Sequence, residues 1–317
     1  VAGRARYAVG RLALAIPTLF GLSFLTFVLG SVAGDPSSRL ASAGLPPDIF
    51  PTPAQIDAVR HRLGFDRPLL VRYWKWLARA LHADLGRSLL TGQSVSDALR
   101  KALPQTAALA LVAVAMTVLV AVPLGIAGGV IKGRWFQQGL RVLELSGASV
   151  PSFFLAYLLI YFFAVKIRLF PVTGQIGWKS IVLPAVTLAV GPAALVARLL
   201  QTSLDDVLRE DYIRMARGKG LATFSIVLFH AMRNAALPVV TLVGTIIAGL
   251  FEGAVVVELV FGRSGIGNLT LQSVGSADYP MVQGVVLLAG VVVVLFNLGV
   301  DLLYPFIDPR VRLGGRS

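Results

Sequence analysis

The chain has 317 residues, 56% of them hydrophobic and only 14% charged, with a net charge of +13 and a mean hydropathy of +0.77. Soluble domains carry about 25% charged residues, so these proportions describe an integral membrane protein. It has no cysteine and three histidines, His61, His82 and His230, dispersed along the chain, which excludes disulfides and cysteine metal sites and leaves no ligand cluster. The positive charge is not gathered into a basic patch interleaved with aromatics, so nucleic acid is not indicated.

Runs free of charge that approach or exceed the ~20 residues needed to span a bilayer occur at Leu12–Gly34, Ala102–Ile131, Leu145–Val165, Ser180–Ala197, Asn234–Phe251 and Tyr279–Val300, the fifth continuing past Glu252 towards Val257. The expected fold is all-α, with six transmembrane helices. Ser31-Val32-Ala33 resembles a signal cleavage site, but the first run exceeds the ~7–15 residues of a signal core, so an uncleaved first helix is expected.

Lys and Arg are retained on the cytoplasmic side. With the N-terminus inside, the short inner segments hold Arg4, Arg6, Arg11, Lys132, Arg134, Arg141, Arg198, Arg209, Arg214, Arg217, Lys219, Arg233, Arg310, Arg312 and Arg316, whereas the short outer loops hold Lys166, Arg168, Lys179 and Arg263. Both termini are therefore expected in the cytoplasm. The chain divides into a tail and first helix (1–34), an extracytoplasmic helical segment (35–101) and a five-helix transmembrane domain (102–317) whose cytoplasmic loop covers about 204–234.

In the outer segment Thr52, Pro53 and Gln55 form a capping box with proline at the first helical position, and Gly64 closes that helix. A second helix starts near Asp66 and Pro68. Its predicted apolar face is Leu70, Tyr73, Leu77 and Leu81, with Trp74 and Trp76 nearby and Arg72, Lys75 and Arg79 elsewhere. Such a helix suits the membrane surface, a cover over the outer mouth, or simple packing. Ser94–Leu103 leads helically into the second span, with a bend expected at Pro104.

Pro17, Pro123, Gly125, Pro151, Pro184, Gly191 and Pro192 fall inside the apolar runs, where they serve either kinks or close packing. Glu252, Glu258 and Asp301 are acids within or at the ends of such runs, and face a bundle interior or an aqueous cavity. Glu252 is a candidate pathway residue or a paired structural charge. Ser149 and Ser152, flanking Pro151, are further pathway candidates.

The connector Arg198–Asn234 places Leu204, Leu208, Tyr212 and Met215 on one face and Asp205, Asp206, Arg209, Glu210 and Arg214 on others, as an amphipathic helix would. Gly218 and Gly220 then permit a sharp turn. A second apolar pattern follows at Phe224, Val227, Leu228, Ala231 and Met232, with His230 and Arg233 before the next span. This is either a lever offered to a partner's groove or a solvated connector.

The string Glu210-Asp211-Tyr212-Ile213-Arg214-Met215-Ala216-Arg217-Gly218-Lys219-Gly220-Leu221, followed by His230-Ala231-Met232-Arg233-Asn234-Ala235-Ala236-Leu237-Pro238, resembles the coupling loop of binding-protein-dependent ABC importer permeases in its dipeptide, oligopeptide and nickel version. Leu63–Leu69, Asp84-Leu85-Gly86-Arg87-Ser88, Glu258, Phe261, Gly265-Ile266-Gly267, Asp278-Tyr279-Pro280, Gln283, Asn297, Asp301 and Asp308-Pro309-Arg310 are similar to that subfamily too. The chain departs from the general loop at Arg214-Met215 and at His230, Met232 and Arg233, with its proline only at Pro238, and Gly218 stands where the subfamily commonly has alanine.

The resemblance implies a loop, Glu210, Asp211, Tyr212, Arg214, Ala216, Arg217, Lys219, Gly220 and Leu221, that docks on a cytoplasmic ATPase. It also implies two such ATPase domains holding ATP and Mg, a second permease and an extracytoplasmic binding protein, at the bacterial inner membrane. His230, Arg233, Glu258 and Asp301 are expected in structural or interface roles. No Walker A pattern surrounds Lys219, so the chain itself is not expected to bind ATP, a metal or another cofactor, or to be an enzyme. Ser264 does not form a nucleophile elbow. A proton-coupled transporter using Glu252 or Asp301 is the alternative, but no internal repeat of the kind such folds show is evident. Peptide is the expected cargo, with nickel or another small solute as the other choice.

Overall fold

The computed structural model describes residues 2–32, 37–42, 50–175 and 177–307. Along these the chain forms α1 (Ala2–Val32), α2 (Ser37–Ser42), α3 (Pro53–Leu63), α4 (Leu69–Ala80), α5 (Val95–Val130), α6 (Arg134–Ser149), α7 (Ser152–Leu159), α8 (Lys179–Val207), α9 (Asp211–Gly218), α10 (Thr223–Ser225), α11 (Met232–Val260), α12 (Ile266–Gly275) and α13 (Tyr279–Ile307). Two stretches with wider, π-type winding, Ile160–Lys166 and Ile226–Ala231, continue α7 and lead into α11. Among the described residues the only β pairing is an isolated bridge between Arg87 and Ser94.

Among the described residues five helical stretches are long and apolar enough to cross a membrane: Ala13–Ser31, Val95–Val130, Lys179–Val207, Thr223–Ile247 and Tyr279–Gly299. The third expected span, Leu145–Val165, is not one straight helix. α6 and the α7 stretch through Lys166 meet at 105°. The cause is Pro151, which lacks an N–H and disfavours helical geometry in the residue before it; Val150 sits at φ −72, ψ 122. Pro104 lies within α5, whose helical winding runs unbroken from Val95 to Val130.

The chain folds as two compact units. One is built mainly on Thr106–Arg263 and the other on Val9–Gln105 with Ser264–Leu295. In the first, α8 is the central element, burying residues from Ser180 to Leu204. Its approach to α5 requires glycine: a Cβ on Gly129 would stand 2.6 Å from Leu204 Cδ2. Small residues that let helix backbones approach are what membrane packing relies on, because lipid offers no hydrophobic contrast.

In the second unit, α3 begins as predicted, with Thr52 accepting from the Gln55 N–H and Gly64 closing the helix at φ 72. α4 keeps Tyr73 and Leu77 of the predicted face and departs from it at Leu70 and Leu81. Tyr73 and Trp76 are its buried residues, packed with Phe27 of α1 and flanked by Leu69, Leu77 and Ala80, while Leu70 and Leu81 are exposed. At 100° per residue Tyr73 and Trp76 fall on either side of Leu69 and Ala80, whereas Leu70 and Leu81 are rotated towards the exposed Trp74. Tyr73 also exchanges a 2.9 Å hydrogen bond with Ser23.

Candidate functional site

The connector between α8 and α11 is built on a buried apolar spine. α8 reaches Val207, so Leu204 belongs to the end of that long helix rather than to a separate amphipathic one. Turn bonds from Arg209 N to Asp206 O (3.1 Å) and Glu210 N to Val207 O (3.1 Å) close α8. Glu210 is extended, and α9 starts at Asp211. Asp211 in the first turn and Arg217 in the last both complement the helix dipole.

Ile213 and Ala216 are the residues α9 buries. They join Leu204, Ile226, Val227, Ala231 and Ala235 in one core, with Leu208, Tyr212 and Met232 packed around it. Met215, expected on the inner face, is 65% exposed, as are Phe224 and Leu228 to 75% and 42%. The break between α8 and α9 resets the helical phase, so Ile213 takes the inward position.

Gly220 ends the turn at φ +79, where a side chain strains the backbone; its N–H bonds Arg217 O at 2.9 Å. Gly218 lies within α9 with no such φ and open space around it, so only one of the two glycines is needed by the turn. The Tyr212 hydroxyl accepts from Asn234 Nδ2 at 2.9 Å, joining α9 to α11 beside the shared core. His230 Nδ1 lies 3.4 Å from Ser225 O within the widened turn.

Glu210, Asp211, Arg214, Arg217, Lys219, Gly220, Leu221, His230 and Arg233 are all exposed. Arg214 pairs with Asp211 at 3.3 Å, an exposed contact worth at most ~1 kcal/mol. Behind the connector, Lys132 pairs with Asp205. Gln201 Nε2 donates to Gln137 Oε1 at 2.8 Å, while Gln137 Nε2 donates to Gly128 O at 2.7 Å and Ile131 O at 2.5 Å. The end of α5 is thereby capped and tied to α8.

The pathway candidates Ser149 and Ser152 flank the α6–α7 break, the first exposed and the second half-buried. The first turn of α7 leaves N–H groups with no intrahelical acceptor. At membrane depth such backbone persists where protein or a water-lined cavity covers it. Glu252 lies in α11 and Asp301 in α13, but their side chains fall outside those described. The Asp308-Pro309-Arg310 motif lies outside the described residues.

Glu258 is fully buried and accepts from Thr106 Oγ1 at 2.6 Å. Arg263 is also buried, and its Nη1 donates to Ser180 O at 3.3 Å. Burial pushes the Arg263 guanidinium pKa down and the Glu258 charge opposes that shift. Glu144 went unnoticed in the sequence because it stands just outside the run beginning at Leu145. It is 5% exposed, with Oε1 lacking a hydrogen-bond partner among the described residues, and the charges acting on it are Arg198 and Arg141. Among the described residues no group of three His, Cys, Asp or Glu could hold a metal ion.

The family described as the binding-protein-dependent transport system inner membrane component matches residues 121–313, and the N-terminal part of such membrane components matches 4–110. A protein of Brucella abortus (strain 2308) named a peptide transport system permease is 39% identical over 311 residues, covering 95% of this chain and 97% of its own. The glutathione transport system permease protein GsiC of Escherichia coli (strain K12) is 36% identical over 307 residues, covering 96% and 98%. Among solved structures, the inward-facing MetNI methionine ABC transporter matches with a TM-score of 0.57 at 19% identity, over 66% of this chain and 96% of that one. An amino acid ABC transporter matches at 0.54 and 14% identity, over 67% and 94%. At these identities the structural matches establish the fold.

Proposed function

The chain belongs to the inner membrane components of binding-protein-dependent transport systems and is a permease subunit of an ABC importer, and on that premise we propose that it forms half of a peptide pathway driven through α9. Such permeases are not ATPases; the family implies ATP on partner ATPases and an extracytoplasmic substrate-binding protein. The second half of the pathway is a homologous permease. Mg accompanies ATP on the ATPase subunits.

The observation that carries the coupling role is the division of α9. Its inner side, Ile213 and Ala216, is fused to the core of α8 and α11, and its outer side is free to meet a protein groove. A push on Arg214, Arg217, Lys219 or Leu221 is therefore transmitted to two spans as a rigid-body displacement. The charge count puts this loop in the cytoplasm, where an ATPase can reach it. Peptide is favoured as cargo by relatives named for peptide and glutathione transport. Ser149 and Ser152, at the α6–α7 break, and Glu252 are the proposed pathway residues.

The test uses the assembled transporter in proteoliposomes. Gly220→Val and Arg217→Glu are expected to leave assembly and basal ATP hydrolysis intact while uptake of a di- or tripeptide falls at least tenfold. Normal uptake in both variants would refute coupling through α9. Transport by the permeases on a proton gradient without ATPase would instead favour the secondary-transporter reading. Glu252→Gln is expected to slow uptake without altering ATP hydrolysis.

A further inference from the structure

α4 has more apolar surface than its packing uses. Projected at 100° per residue, its outline has three sectors. Leu69, Tyr73, Trp76, Leu77 and Ala80 face the α1 core, and Arg72, Lys75 and Arg79 form a charged sector. The remaining sector, Leu70, Val71, Trp74 and, just past the helix end, Leu81, is apolar and 59%, 42%, 58% and 79% exposed.

Where that sector lies is fixed by α1. Tyr73 is set among Phe20, Phe24 and Phe27, with ring centroids 5.9, 5.1 and 5.6 Å away. These phenylalanines and Ser23 all fall inside the apolar stretch Ala13–Ser31. Ser23, bonded to Tyr73, stands ~12 Å along the helix from Ser31 at 1.5 Å per residue. α4 therefore lies beside the span and below its outer end. Phe20, 46% exposed, has its ring centroid 6.1 Å from that of Trp74, so the exposed surface of the span continues directly onto α4.

We propose that α4 is embedded in the outer leaflet, with Leu70, Val71, Trp74 and Leu81 immersed in lipid and Lys75 and Arg79 extending towards the headgroups. Helices with a charged face and aromatic residues settle ~5–10 Å into the headgroup and acyl boundary, and long basic side chains reach out of that layer while their stems stay in it. Immersion removes from water the very residues that packing on α1 leaves uncovered. The segment between the first two spans is thereby anchored to the bilayer at its midpoint.

The natural absence of cysteine allows a direct test. L70C, V71C, W74C and L81C, each spin-labelled in the assembled transporter, are placed in nanodiscs of phosphatidylethanolamine and phosphatidylglycerol. Relaxation by molecular oxygen, which partitions into lipid, is compared with relaxation by a water-soluble nickel chelate. Leu119→Cys, on an exposed site of the α5 span, and Thr91→Cys, in the outer loop, set the lipid and water limits. All four α4 sites are expected to favour oxygen at least threefold over the chelate, as at 119. Chelate access matching position 91 at these sites would overturn the proposal in favour of an aqueous cover. Protection from both agents would overturn it in favour of a protein partner. Either outcome leaves the coupling role of α9 untouched.

Discussion

The Asp278 carboxylate accepts a hydrogen bond from the Ser88 hydroxyl, across 190 residues of sequence, and a second from the Leu89 N–H at 3.2 Å. Both Ser88 and Asp278 are buried, and Ser88 Oγ in turn accepts from the N–H groups of Leu90 and Thr91. One carboxylate thus pins the bend that leads into α5 to the junction between α12 and α13. Asp278→Ala strands these donors, and an unsatisfied buried polar group costs ~1–3 kcal/mol. The variant is expected to melt at lower temperature and to become cleavable by protease within 87–94 in folded protein. Unchanged melting and cleavage would show that the bend holds without it.

Gly218 and Gly220 are expected to separate cleanly. Gly218→Ala meets open space in helical backbone and should stabilise the loop by up to ~1 kcal/mol. Gly220→Ala must hold φ +79, at a cost of ~1–2 kcal/mol. Hydrogen exchange of the α9 amides, slower in the first variant and faster in the second, is the measurement that checks this.

Glu258→Ala removes the acceptor of Thr106 and the charge facing Arg263. Breaking a buried pair from one side costs ~3–5 kcal/mol. A large loss of thermal stability is expected, with Glu258→Gln intermediate because it keeps an acceptor for Thr106. Equal stability of the two variants would mean that the acceptor for Thr106 contributes nothing and that the whole loss comes from the charge.

Glu144 is expected to behave in the opposite sense. Its Oε1 is buried with no hydrogen-bond partner among the described residues, so Glu144→Met, similar in length and uncharged, should raise stability by ~1–3 kcal/mol. Thermal unfolding of the detergent-purified complex reads this directly. A fall in stability would identify a partner for the carboxylate within the assembled transporter.

Sequence by itself determined the membrane class, the apolar runs, the orientation expected from charge and the connector between α8 and α11, because hydropathy, charge and turn residues act locally. The Thr52 cap and the Gly64 end of α3 were visible for the same reason. Tertiary structure decided which side of each helix is covered. Ile213 replaces Met215 because a break resets the phase of α9, and Trp76 joins the expected Tyr73 and Leu77 at the α1 interface while Leu70 and Leu81 stay outside it. In a chain whose helices are apolar nearly all round, hydrophobic periodicity carries little information about facing. Packing is set instead by close approaches such as Gly129 against Leu204 and by polar pairs such as Thr106 with Glu258, whose members meet only once the chain has folded.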